Sequence, residues 1–139
     1  MLLLDFLKEN LHVNIDVPEW KSTILQMKVN MKLDPNEIDC TGGIQCKVTM
    51  CNIMEEVIFS DREAYVFSYE KGFLILGPSK SELPLIAIIN KRHIKSIESR
   101  TKFTKMIVTI KTDDNLYDFK TAKKDGSAME KLANSLRNT

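Results

Sequence analysis

Ala64-Tyr65-Val66-Phe67-Ser68-Tyr69 and Phe73-Leu74-Ile75-Leu76 are rich in aromatic and branched residues, and Glu70-Lys71-Gly72 stands between them. Such side chains favour extended backbone, and the glycine supplies the freedom that a tight turn needs. The stretch therefore reads as two antiparallel strands. Toward the C-terminus a loop over Gly77-Pro78-Ser79-Lys80-Ser81 leads to an apolar segment, Leu85 to Ile89, with Pro84 at a position suited to a strand's start or edge. A short piece, Ile94 to Glu98, follows. Met106, Val108 and Ile110 then alternate with Lys105, Thr109 and Lys111; Asp113-Asp114-Asn115 turns the chain, and Leu116 to Lys120 returns with Tyr117 and Phe119 on one side. That is a second hairpin. Beyond it the period changes, because Ala128, Met129, Leu132, Ala133 and Leu136 fall on one helix face, with Ser127 and Glu130 spaced as a capping box.

Toward the N-terminus, Met54 to Phe59 fits a helical turn or a strand equally well and stays unassigned. Ile44, Cys46, Val48 and Met50 alternate with Gln45, Lys47 and Thr49, as a strand would. The alternation is fullest from Leu25 to Leu33, where Leu25, Met27, Val29, Met31 and Leu33 oppose Gln26, Lys28, Asn30 and Lys32. This predicts a strand paired with the one from Ile44 through a long polar loop, Asp34 to Gly43. Pro18 bounds it, and Leu3, Leu4, Leu7 and Leu11 predict a short amphipathic helix over residues 2–11. The expected fold is mainly β: about seven or eight antiparallel strands, a C-terminal helix and a short N-terminal helix.

The 139 residues carry a formal charge of +1 and are 43% hydrophobic, which bounds the chain to one soluble domain, 1–139. Near-neutrality gives no overall reason to expect nucleic acid. The sum hides a polarity, since residues 1–89 carry a net −5 and residues 90–139 a net +6. Three clustered cysteines, Cys40, Cys46 and Cys51, suit a reducing cytosol rather than a disulfide framework. No apolar run is long enough for a membrane helix, and the first residues lack the basic region of a secretion signal. The expected location is cytoplasmic, with a peripheral membrane position open to it.

From about Glu55 to Arg137 the order of elements resembles the pleckstrin-homology superfamily, most closely its GRAM and bacterial PH-like members. The residues that carry the resemblance are Tyr65-Val66-Phe67, Lys71 to Leu76, Ile89 with His93 to Glu98, Ile107 to Phe119, and the final helix. It implies a partly open antiparallel barrel with a C-terminal helix plugging one end, and residues 1–50 form a helix-and-hairpin extension to it. Two features depart from the family. The only tryptophan is Trp20 instead of one in the last helix, and the loop expected between the first two strands, Asp34 to Gly43, holds three carboxylates and no base. That loop is a poor phosphate cradle.

No constellation of nucleophile, base and orienting group can be assembled, so no enzyme is expected. The two histidines, His12 and His93, have no spacing suited to a metal, and neither metal nor cofactor is expected. Cys46 reads as a buried, inert thiol, Glu55-Glu56 and Asp113-Asp114 as solvated turn acids, and Met27, Met31, Met50, Met54, Met106 and Met129 as core. The residues with functional leverage are bases: Lys91, Arg92, Lys95, Arg100, Lys102, Lys105, Lys120, Lys123 and Lys124. Converging at one mouth of the barrel, they would attract an anionic partner. The reading reached is a non-catalytic binding or adaptor module for a protein partner, with strand addition at a sheet edge as the mode. Its alternative is an anionic-lipid (phosphoinositide) or membrane-surface module acting through those bases. Nucleic acid is disfavoured, because the aromatic residues do not interleave with the bases. The apolar face from Leu25 to Leu33 must be covered, by the barrel or in a homodimer through the N-terminal region.

Overall fold

A computed structural model describes the chain except residues 11, 30–31, 35–37, 41–42, 70–71, 78–84, 123–126, 128–130, 132–133 and 135–139. Two helices, α1 (Leu3–Glu9) and α2 (Pro18–Val29), precede seven strands: β1 (Ile44–Asn52), β2 (Val57–Tyr69), β3 (Gly72–Gly77), β4 (Leu85–Asn90), β5 (Ile94–Lys102), β6 (Lys105–Thr112) and β7 (Asn115–Ala122). One 3₁₀ turn, Lys91–His93, links β4 to β5. The strands form a single antiparallel sheet in the order β4-β3-β2-β1-β7-β6-β5, curved into a half-barrel. β1 joins its two halves, pairing along β2 from Ile44↔Val66 to Cys51↔Val57 and with β7 from Lys47↔Lys120 to Asn52↔Asn115.

Both faces of the sheet are buried where β3 and the adjoining parts of β2 and β4 meet the helices. On the inner face Cys46, Val48, Ala64, Val66, Phe73 and Ile75 pack with Ile97, Val108, Ile110, Tyr117 and Phe119. On the outer face of β2, β3 and β4, Phe67, Leu74 and Leu76 pack under α1, α2 and the segment around Ile38, through Leu3, Phe6, Leu7, Trp20 and Met27. Phe6 sets its ring edge-on to Tyr65 and Phe67, with centroids 5.2 and 4.9 Å away. A strand covered on both sides has no polar face to show, which is why Phe73-Leu74-Ile75-Leu76 is apolar throughout and β3 is buried at every position. Gly72 and Gly77 allow the close strand approach there: a Cβ at Gly72 would collide with the Ile89 carbonyl, and one at Gly77 with the Glu63 carbonyl.

The strand expected from Leu25 to Leu33 is not formed, and neither is its hairpin with β1. Residues 18–29 are helical. Pro18 occupies the first helical position, where its missing N–H costs nothing and its φ is already suitable, and Glu19 and Lys28 complement the two ends of the dipole. Leu, Gln, Met and Lys, which make up most of the alternating run, are also better helix formers than strand formers. The buried positions are Trp20 and Met27, seven residues apart and hence on one helix face, whereas Leu25 and Val29 are exposed on the other side. The loop between the first two strands is accordingly Ile53–Glu56, not Asp34 to Gly43, and Met54 there is exposed instead of core. The sheet begins at Ile44, so β1 belongs with the strands and not to an N-terminal extension. Both described helices are N-terminal; of the expected C-terminal helix only Ser127, Lys131 and Asn134 are described, helical in backbone and exposed, and the rest lies outside the described residues. No helix among the described residues is long and apolar enough to cross a membrane.

Candidate interaction surface

The expected basic cluster separates into two groups at opposite ends of β5. Lys91 and Arg92 stand on the 3₁₀ turn and Lys95 near the start of β5. Asn90 caps that turn, its side-chain oxygen accepting from the Arg92 N–H at 3.0 Å. Here bases meet acids. Lys95 Nζ and His93 Nδ1 each lie 3.4 Å from an Asp113 carboxylate oxygen. The Ile53 N–H donates to the Asp114 carbonyl at 3.0 Å, which brings the Ile53–Glu56 loop, with exposed Glu55 and Glu56, to the same end. Four exposed carboxylates among these bases leave little net field for an anion.

At the other end the register sets Lys102 opposite Lys105, and Arg100 opposite Ile107, which in turn faces Lys120 and, on β1, Lys47. Opposed residues share a face, so Arg100, Lys120 and Lys47 lie along one rung of the outer surface. Lys120 is held by Asp61, with Nζ to Oδ1 at 3.0 Å. Asp61 stands where β2 bulges against β1, at φ 47°; its N–H donates to Thr49 Oγ1 at 3.0 Å. The hydrogen bond from Lys120 depresses the Asp61 pKa, against the opposing effect of desolvation. Arg100, Lys102 and Lys105 make no ion pair among the described residues. Lys123 and Lys124 lie outside the described residues. At roughly 3.3 Å per strand residue, Arg100 lies about 17 Å and Lys102 about 23 Å from Lys95 along β5.

Between Lys102 and Lys105 the chain reverses in two residues, Phe103 and Thr104. Phe103 is 89% exposed, more than any other large apolar residue described, and has φ 56°. A two-residue hairpin turn demands positive φ at its first central position, where glycine or asparagine is usual. A bulky aromatic side chain there is strained. The turn lacks glycine, asparagine and proline, so nothing in the sequence marks it and the strand reads as ending at Glu98. Thr101 alternating with Arg100 and Lys102 was the signal that β5 continues.

Cys46, on the inner face, is buried, and desolvation pushes its thiol up to about 12. Cys40 is raised to about 12 as well, by burial first and the nearby Asp39 charge second. All three cysteines are free thiols. Among the described residues no group of three or more histidine, cysteine or carboxylate side chains is arranged to hold a metal. His93 is exposed on its turn. A scan against protein-family models finds none that matches the chain, and a search of curated proteins returns no match.

Proposed function

We propose that the chain is a non-catalytic binding module of the pleckstrin-homology type that takes a protein partner by strand addition at the outer edge of β5. The family reading is supported by the strand order, a seven-strand meander whose first and last strands pair and whose ends, β4 and β5, stay apart. The partner reading is carried by one observation. From Glu98 to Lys102 every residue of β5 is exposed, and among the described residues the strand pairs only with β6. An edge of this kind offers main-chain donors and acceptors in register for an extended peptide. Three charged side chains in five residues, Glu98, Arg100 and Lys102, are of the kind that blunts non-specific edge-to-edge association. Arg100 and Lys102 favour a partner segment with carboxylates.

The test is selection of peptides from a displayed random library, followed by amide mapping of the complex by NMR. Peptides with carboxylates are expected to slow hydrogen exchange at alternate amides of residues 98–102, those that point away from β6. Binding that leaves these amides unchanged, or a library that yields no binder, rejects the reading.

A further inference from the structure

We infer that the β5–β6 hairpin tip is an insertion anchor for an anionic lipid surface, with Phe103 entering the bilayer interface and Arg100, Lys102 and Lys105 engaging the headgroups. Three observations on separate features combine. Phe103 is the most exposed large apolar side chain described, at 89%, and its apex position is kept at φ 56°, a conformation that glycine or asparagine would adopt with less strain. Folding alone gives no reason for an aromatic ring there, because it touches no core.

The charge around it has one sign. From Ser99 to Thr112 the sequence contains four bases, Arg100, Lys102, Lys105 and Lys111, and no acid. Lys102 and Lys105 flank the tip as a cross-strand pair that would repel in isolation. No carboxylate is placed to relieve that repulsion among the described residues, in contrast to the Asp113 pairs at the opposite end of β5.

The shape also selects a flat partner. Ring and bases stand on a convex two-residue turn: the lysine pair lies one strand step behind the apex, roughly 3 Å, and Arg100 about 7 Å further back. This depth matches an interfacial element that buries about 5–10 Å at the boundary of headgroups and acyl chains, with long basic side chains reaching back to phosphates. Such a surface needs no pocket. The inference stands apart from strand addition, since vesicles supply no peptide.

Flotation with vesicles of phosphatidylcholine alone, or with about one third phosphatidylserine, tests it on the full chain. The wild type is expected to float with the anionic vesicles only, and to be released as salt rises. Phe103→Asn is expected to weaken partitioning about tenfold while raising the melting temperature, because it removes the ring and the strain together. A purely structural role for Phe103 cannot give those opposite signs. Lys102→Glu with Lys105→Glu is expected to abolish flotation, and Phe103→Trp to shift its emission to the blue on anionic vesicles, with wild-type Trp20 as background. Absence of flotation at low salt, as expected if the tip instead docks on an acidic protein, overturns the inference. So does equal binding by Phe103→Asn.

Discussion

Asp61 joins three elements from a single strained position. Its backbone is left-handed at the β2 bulge, its N–H is satisfied by Thr49 of β1, and its carboxylate receives Lys120 of β7. The folded pKa lies below the ordinary value of 3.8, so the pair's contribution is fully present above that value and is lost as pH falls through the depressed folded one. Both groups are substantially exposed, which keeps the contribution small. Lys120→Met is expected to return the Asp61 titration toward the ordinary value, measured by carboxyl-carbon NMR; an unmoved titration would show that Lys120 is not the cause. The cysteines give a second test at this scale. Cys40 and Cys46 are buried with thiols raised to about 12, while Cys51 is half-buried on β1. Mild alkylation of the folded protein should modify Cys51 first, and all three only in denaturant, because the thiolate is the reacting form. Mass spectrometry after digestion reads this directly, and early labelling of Cys46 would contradict its placement.

At the scale of elements, α2 is held by two side chains, Trp20 and Met27, pressed on the outer sheet face. Met27→Ala should cost about 2–4 kcal/mol by urea denaturation, whereas Leu25→Ala should cost less than about 1, because Leu25 is exposed. If residues 25–33 were a strand with Leu25 and Met27 on one face, the two costs would be alike. The same helix marks where sequence reading stops. Ile107 to Phe119 and Ala64 to Leu76 are legible as hairpins, because a period of two, branched residues and turn chemistry all agree there. From Leu25 to Leu33 the period also says strand, but Pro18, Glu19 and the Trp20-to-Met27 spacing say helix, and tertiary burial decides between them. Of the candidate surface, the individual bases were legible and their separation was not. Which bases meet Asp113 and which stand alone depends on strand register, and the direction of β5 past Glu98 carries no glycine or proline to announce its turn.

For the molecule as a whole, the two N-terminal helices answer a need created by the sheet. The inner face of the half-barrel closes over its own residues, but the outer face of β2 to β4 carries Phe67, Leu74 and Leu76, each at most 1% exposed under the helices. The outer face of β1, β7, β6 and β5 instead presents Lys47, Asp118, Thr109 and Arg100, with Ile107 buried among them. The apolar residues of the N-terminal part are thus largely spent within the chain, with Met1, Leu2, Leu25 and Val29 left exposed among the described residues. Exposing the three covered side chains would forfeit about 5–9 kcal/mol, at about 1.5–3 each. That is comparable with the entire stability of a typical domain, about 5–15 kcal/mol. A chain beginning at Gly43 keeps every strand, so counting strands alone says that it should fold. With its outer face uncovered, however, this shortened chain should aggregate or bind a dye for exposed apolar surface, with no cooperative melt. The same chain with Phe67, Leu74 and Leu76 changed to Thr should regain solubility, because the outer face then becomes polar while the inner core is untouched. A soluble, cooperatively melting chain from Gly43 without those changes would mean that the helices are an addition to the half-barrel rather than part of its core.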